Sequence, residues 1–413
     1  MGHDSVITLE KEVETACRSA LDEALRAGAE RMLQKAIEVE VAEYIDRHAQ
    51  LVDAQTGHRQ VVRNGHRAER EIQTPLGHIS VRQPRIDDRR EGHRFESIIL
   101  PPYLRRSPAI EALIPLLYLK GISSNDMPDA LEAILGTRPK GLSPTTITRL
   151  KEAWEKEFEE WNSRDLSGKR YVYLWADGIY FNVRLEKDRP CLLVLMGTLE
   201  DGTKELVAIH DGERESKLSW LTVLRDLKRR GFGEGPKLAV GDGALGFWAA
   251  LPEVFPGTRC QRCWVHKTAN VLDKMPKRVQ PDAKRLIHEM YMAQTREQAM
   301  TAYREFCERY EAKFPKAVAC LTKDESALFA FYDFPAEHWT HIRTTNPIES
   351  TFATIRHRHR QTKGCGSRVA TLAMVYKLAR EAEKHWRRIT GYALVAKVLQ
   401  GVRFKDGIEV KAA

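Results

Sequence analysis

Glu349 is the only acidic residue between Glu337 and Glu381. The 43 positions between them hold eight bases: Arg343, Arg356, Arg358, Arg360, Lys363, Arg368, Lys377 and Arg380. Eight minus one leaves +7 for the stretch, against +9 for the whole chain. A basic surface that keeps a single carboxylate fits a polyanion approaching a metal-binding oxygen. That is the charge pattern of an enzyme acting on nucleic-acid phosphates.

Two aspartates complete the chemistry. Asp177, in Trp-Ala-Asp-Gly, and Asp242, in Val-Gly-Asp-Gly, fall where apolar runs end. Ligands of α/β sheets gather at the carboxyl ends of strands. Mg²⁺ or Mn²⁺ takes hard oxygen ligands, and two such ions can hold the attacking and leaving oxygens of an in-line displacement at phosphorus. Asp177, Asp242 and Glu349 would supply that two-ion site. Each also has a structural reading. Asp177-Gly178 reads as a hairpin turn, and Asp242-Gly243 as a strand-to-helix turn with Asp242 near the cap. Asn346-Pro347-Ile348-Glu349 reads as cap, first-turn proline and third-position glutamate.

If Asn346 caps a helix, Glu349, Phe352, Arg356, Arg360 and Lys363 share one stripe at spacings of three, four or seven. The carboxylate then heads a track of bases able to follow a phosphate backbone. Nearby, Cys260-Gln261-Arg262-Cys263-Trp264-Val265-His266 invites a zinc reading. Structural zinc wants four ligands, typically in two separated pairs, and no second pair follows at suitable spacing. The expectation is therefore no zinc, with the cysteines as small core residues.

These side chains need elements to position them. The chain is long enough for about three domains. Hydrophobic content of 42% supports real cores, and 30% charge suits a soluble protein. No apolar run approaches the roughly 18 residues of a membrane span, and the start lacks the pattern of a signal peptide. Seven cysteines argue for a reducing compartment, hence a cytoplasmic protein, and against a disulfide framework. A pI near 9.1 favours nucleic acid as partner.

Helical periodicity runs from 8 to 50, with Leu21, Ala24, Leu25, Ala29, Met32, Leu33 and Ala36 as its apolar positions. Asn64-Gly65 carries a hairpin signal and Thr74-Pro75-Leu76-Gly77 a second turn, inside an arginine-rich segment that reads equally as DNA-touching ribbon or solvated hairpin. Between Ser107 and Asn162 three helices are expected, resembling a helix-turn-helix unit. The start of the third offers Thr145, Thr146 and Arg149 to DNA, as recognition helices do, while its end is acidic. A plain helical bundle explains the same pattern.

From Tyr171 the pattern turns mixed α/β. Strands are expected at Tyr171–Ala176 and Ile179–Val183 around Asp177-Gly178, at Cys191–Met196, at Lys237–Val240 and at Thr258–Cys263, with helices at Ser216–Arg230 and from Ala244. Residues 267–338 read as helical throughout.

In order along the chain, Asn64-Gly-His-Arg67, Trp175-Ala-Asp177-Gly-Ile-Tyr180, Gly197-Thr-Leu-Glu-Asp-Gly202, Val240-Gly-Asp242-Gly-Ala-Leu-Gly246, Arg262-Cys263-Trp-Val-His266 and Thr344-Thr-Asn346-Pro-Ile-Glu349-Ser350 resemble the bacterial transposases of Mutator type encoded by insertion sequences. The resemblance implies a ribonuclease-H-like core with an Asp-Asp-Glu triad on Asp177, Asp242 and Glu349. It also implies a Cys-x₂-His element on Cys263 and His266 that supports the site, and a helical insertion before the glutamate.

The expected fold class is α/β: a ribonuclease-H-like mixed sheet core interrupted by an all-helical insertion, preceded by a mainly helical DNA-binding region with a β-hairpin. The expected segments are 1–100, helical with a basic hairpin; 101–165, helix-turn-helix-like; 166–274, the first part of the core; 275–338, the insertion; 339–385, the second part of the core; and 386–413, a tail. The expected partners are double-stranded DNA, as terminal inverted repeats and target, and a second copy of the chain, since two ends must be held together; no membrane is expected. A bacterial, nucleoid-associated location follows. The bases expected to touch DNA are Arg343, Arg356, Arg358, Arg360, Lys363 and Arg149. The rivals are a ribonuclease-H-like nuclease or resolvase without strand transfer, and a non-catalytic DNA-binding protein.

Overall fold

A computed structural model of the chain describes residues 3–123, 125–135, 144–181, 191–212, 214–243, 245–361 and 367–410. The chain divides into two compact units, Met1–Thr148 and Arg149–Ala413.

The first unit opens with the long helix α1 (His3–Arg47), then the strands β1 (Val61–His66), β2 (Arg70–Thr74), β3 (Gly77–Val81) and β4 (Pro84–Asp88), then the helices α2 (Pro108–Lys120) and α3 (Met127–Leu135). Its core is small: Ile37 of α1 meets Ile72, Ile79, Val81 and Leu100. The expected apolar stripe of α1 is only half used. Ala29 and Leu33 pack on that core, whereas Leu21, Leu25 and Met32 are exposed. Thr74-Pro75-Leu76-Gly77 makes the β2–β3 hairpin, with Thr74 opposite Gly77. Asn64-Gly65 does not make one. β1 pairs with β4, and Gly65, at φ +65°, lies where that register slips between Arg63 and His66. The left-handed glycine serves a bulge instead of a two-residue turn.

The second unit is built on one sheet. Helix α4 (Pro144–Asn162) crosses the division between units and leads to β5 (Tyr171–Tyr180), β6 (Cys191–Leu199), β7 (Lys204–Gly212), α5 (Lys217–Arg229), β8 (Leu238–Gly241), α6 (Leu245–Val254), β9 (Arg259–Arg262) and α7 (Trp264–Leu272). The strand order is β7-β6-β5-β8-β9. The first three run antiparallel, and β8 and β9 continue parallel to β5. Central strands covered on both faces must be apolar throughout, which accounts for Cys191-Leu-Leu-Val-Leu-Met196. On one face Leu174, Ala176, Leu193 and Leu195 pack with Trp220, Leu224 and Leu227 of α5 and Phe247 and Leu251 of α6. Tyr173 and Trp175 take the other face, where the Tyr173 hydroxyl meets His338 Nδ1 at 2.7 Å and Trp175 Nε1 donates to the His341 carbonyl at 3.1 Å.

Two expectations about this sheet are corrected. Asp177-Gly178 is not a turn: β5 runs straight through it, with Asp177 opposite Val194 and Gly178 opposite Leu193. Pairing along the whole length of β6 outweighs a two-residue turn preference. The third strand is Lys204–Gly212, which the sequence reading passed over; of Gly197–Gly202, Gly197 to Leu199 end β6 and Glu200 to Gly202 begin the connection to β7. Positions 182–183 of the expected second strand lie outside the described residues.

After β9 the chain is helical: α8 (Gln280–Met292), α9 (Arg296–Tyr310), α10 (Pro315–Thr322), α11 (Glu325–Leu328), α12 (Trp339–Ile342), α13 (Asn346–Gln361), α14 (Arg368–Glu383) and α15 (Val395–Leu399), closed by the short pair β10 (Phe404–Lys405) and β11 (Ile408–Glu409). The helical segment around α11 is tied to the sheet by buried polar groups. Gln261 of β9 donates to the Leu328 carbonyl at 2.9 Å and accepts from the Phe331 amide at 2.8 Å, and Trp264 Nε1 reaches the same Leu328 carbonyl at 2.8 Å. The described residues contain no helix long and apolar enough to cross a membrane.

Candidate active site

The site grows from strand register. β5 and β8 are parallel and pair Ala176 with Gly241; β8 and β9 are parallel and pair Gly241 with Arg262. Asp177, Asp242 and Cys263 are therefore the next residues along three adjacent strands, at one edge of the sheet. Asp177 shares the face of Tyr173 and Trp175. It is buried, its Oδ1 accepts from the Gly178 amide at 2.8 Å, and burial together with the neighbouring Asp242 pushes its carboxyl up to about 7. A buried carboxyl raised in part by a neighbouring carboxylate is a mark of functional sites.

Asp242 is fixed through its backbone. Its carbonyl accepts from Trp248 Nε1 at 2.9 Å and from Arg262 Nη1 at 2.7 Å. Arg262 is itself buried and held by Asp324 at 3.3 Å, and Lys267 joins the same Asp324. Asp324 thus braces the strand end that carries the second aspartate.

Glu349 stands in the first turn of α13. The helix is capped one residue earlier than the sequence indicates. The Thr345 carbonyl accepts from the Glu349 amide at 3.0 Å, and the Thr345 hydroxyl donates to the Glu349 carboxylate. Asn346 is exposed and is not that cap. Thr345 also donates from its amide to Cys263 Sγ at 3.3 Å, which ties the head of α13 to the end of β9.

His266 joins the three acids. Its Nδ1 lies 3.6 Å from Glu349 Oε1, and its charge interacts with Asp242 and Asp177 as well. The hydrogen bond to Cys263 raises its imidazole to about 9, helped by Glu349 and Asp242 against the opposing effect of burial. Burial opposes thiolate formation at Cys263, yet hydrogen bonds from His266 and Thr345 hold that thiol below its ordinary range. Among the described residues, Cys263, His266 and Glu349 form a group whose ligand atoms all lie within 4.8 Å of one another; the aspartates are not part of it. Glu349 is turned toward Thr345 and His266. Cys260 is separate from this group, half-buried on β9 against the main core.

Sequence reasoning missed Glu215. It precedes α5, and an added Cβ on Gly178 would meet its Oε1 at 2.2 Å. Burial, then Asp242, raises its carboxyl. A glycine at 178 is what lets a fourth carboxylate lie against β5. The dipeptide Asp-Gly was the available signal, read as a turn when its glycine marks a close approach.

The basic track divides. Arg356 and Arg360 of α13 are exposed, and the Arg356 guanidinium lies 5.6 Å from the ring of buried Phe352. Arg358 is 3% exposed and faces inward, so it cannot follow a DNA backbone. Its position two residues from Arg356 turns it about 200° around the helix. Arg343 is half-buried, donates to the Tyr291 carbonyl at 2.9 Å and lies over the Tyr291 ring, so it serves packing against α8. Lys363 and the Thr145 side chain lie outside what the structure describes, whereas Thr146 is half-buried and Arg149 exposed.

Fold and site together define an α/β protein with an acidic centre at one edge of a five-stranded mixed sheet. Residues 2–389 match the family described as Transposase, Mutator family, and the chain belongs to that family. It is 54% identical over 295 residues to the transposase for insertion sequence element IS6120 of Mycolicibacterium smegmatis, covering 71% of this chain and 91% of that one. It is 50% identical over 289 residues to the transposase for insertion sequence element IST2 of Acidithiobacillus ferrooxidans, covering 68% and 95%. Among solved structures, the Drosophila P element transposase strand transfer complex matches at 11% identity and a TM-score of 0.28, over 70% of this chain and 84% of that one. A likeness of that size fixes neither fold nor partner.

Proposed function

We propose that this transposase cuts and joins DNA strands at a divalent-cation centre formed by Asp177, Asp242 and Glu349. The observation that carries the reading is the placing of Asp177 and Asp242 one step past paired residues of two parallel strands, with His266 linking both to Glu349. The order β7-β6-β5-β8-β9, antiparallel then parallel, supports a ribonuclease-H-like core interrupted by the helical insertion.

The donor set fits Mg²⁺ or Mn²⁺. Hard carboxylate oxygens predominate, and Asp177, raised to about 7 by burial and then by Asp242, gains from a cation beside it. Bound there, one or two such ions supply Lewis-acid activation and neutralise charge developing on the phosphate. The chain's own groups do the rest. Asp177 and Asp242 are held by strand register, which limits their freedom to misplace a ligand. Thr345 and His266 orient Glu349 and offset its charge until a cation arrives. Arg356 and Arg360, on exposed positions of the same helix, hold flanking phosphates and set the direction of the strand.

The DNA acted on is the terminal inverted repeats of the element and a target duplex, cut first and then joined through the freed 3′-hydroxyl. Holding two ends at once calls for at least two copies of the chain, working at the nucleoid. An assay with pre-cut terminal DNA, supercoiled plasmid and Mg²⁺ tests the reading. Covalent joining of the ends to plasmid is expected. Nicking without joining would make the protein a nuclease or resolvase.

A further inference from the structure

Two sets of arginines in the first unit contrast. Arg89 and Arg90 are paired, with Asp87 at 3.2 Å and Asp88 at 2.7 Å. Arg67, Arg70, Arg94 and Arg105 instead converge on a cleft of about 470 Å³ beside β2, and no carboxylate lies within ion-pair distance of any of them among the described residues. Glu71 is the one acid in its wall. Arg67 lies near enough to Arg70 to add to the effect of burial in lowering its guanidinium's proton affinity. Four guanidinium groups around one concavity make it a basic surface suited to an anion.

Two further features point into the same cleft. Gln73, 2% exposed, lines it with a buried Oε1 that has no hydrogen-bond partner, and Arg70 Nε is likewise buried without one. At the rim Tyr103 is 91% exposed and held at φ +67°, in the left-handed region that a non-glycine residue seldom enters. Strain of this kind persists where the surroundings fix it, and here it holds an aromatic ring out over the cleft.

We infer that this cleft binds an unpaired nucleotide of a DNA strand. The arginines take its phosphates and Tyr103 stacks on its base. Stacking is sequence-tolerant and needs a base free of its duplex partner, whereas phosphate contacts alone would serve any DNA. The inference rests on the reading of the protein as acting on DNA. Because it is read by binding without divalent cation, its failure is distinguishable from failure of the carboxylate site.

The test uses the full-length chain with a fluorescent 20-nucleotide strand of mixed sequence and the corresponding duplex, titrated across a salt series. Arg94→Ala with Arg105→Ala should weaken binding to both, and the slope of log K against log salt for the single strand should fall by about 1.4, roughly 0.7 for each phosphate contact. Arg94→Lys with Arg105→Lys should keep most of that slope. Tyr103→Gly suits the left-handed backbone, so the fold should be retained, which the melting temperature checks. Affinity of this variant for the single strand should fall about tenfold, with the duplex unchanged. An unaltered salt slope in the double alanine variant would overturn the phosphate site. Tyr103→Gly binding the single strand as tightly as wild type would overturn the unpaired nucleotide.

Discussion

Asp177 and Asp242 are next-in-register neighbours on two parallel strands, each one residue beyond the Ala176–Gly241 pair. Parallel pairing with no turn between them makes their separation a property of the sheet, set by hydrogen bonds between β5 and β8.

One consequence is a pH-dependent cost. The Asp177 carboxyl rises from 3.8 to about 7 on folding, through burial and then Asp242. A raised folded value means that stability is greatest below about 4 and is lost as pH climbs through 7. The cost at pH 8 is on the order of 4 kcal/mol at most. Asp177→Asn should therefore raise the metal-free melting temperature at pH 8 and leave it nearly unchanged at pH 4. Added Mn²⁺ should stabilise wild type more at pH 8 than at pH 5.5, and Asp177→Asn much less. A wild-type Mn²⁺ effect independent of pH would disagree.

His266 shifts in the same direction, at higher pH. Its hydrogen bond to Cys263 holds it up at about 9, so at neutral pH it is an imidazolium beside Glu349. That pairing contributes stability fully below about 6.5 and loses it as pH rises through 9. NMR titration of the His266 ring should give a midpoint well above 7, and Cys263→Ser should bring it down. A midpoint near 6.5 in wild type would show that the thiol does not hold the proton there.

How much of this was legible in the sequence depends on the range of the interaction involved. Strand ends at Ala176 and Val240 follow from apolar runs, and Glu349 stands out by charge alone. Asp177-Gly178 misled, because a local turn preference competes with pairing to a strand fourteen or more residues away, and nothing near Gly178 announces that Glu215 will lie on it. Asn64-Gly65 misled for the same reason: its partner is β4, not the next segment. Helical spacing separates Arg356 and Arg360 from the core, and it turns Arg358 inward, because residues two apart on a helix face nearly opposite ways. Thr345 was passed over in favour of Asn346 because caps are identified only to within a residue or two.

The arrangement of Gly178 and Glu215 can be read by a double-mutant cycle. Gly178→Ala sets a methyl against the Glu215 carboxylate and should cost roughly 1–3 kcal/mol in denaturant unfolding. In a Glu215→Ala background most of that cost should vanish, since the space is then open. Equal costs in both backgrounds would mean that the methyl strains something other than Glu215.

On α13, exposure separates the roles of the bases. Arg356→Ala with Arg360→Ala should lower the salt slope of duplex binding by about two and leave unfolding almost unchanged. Arg358→Ala, at a buried position, should destabilise by roughly 1–3 kcal/mol and change the slope little. The reverse pattern would exchange surface and interior for this helix.

The central claim is that Asp177, Asp242 and Glu349 together hold the cation at which DNA is cut. The most direct measurement pairs Mn²⁺ binding by calorimetry with cleavage of terminal DNA, for wild type and for Asp177→Asn, Asp242→Asn and Glu349→Gln. Each substitution keeps shape and removes a ligand charge. The account predicts weakened Mn²⁺ binding and abolished cleavage in all three, with DNA affinity nearly intact. A variant that binds Mn²⁺ and cleaves at the wild-type level would contradict it by taking that carboxylate out of the centre.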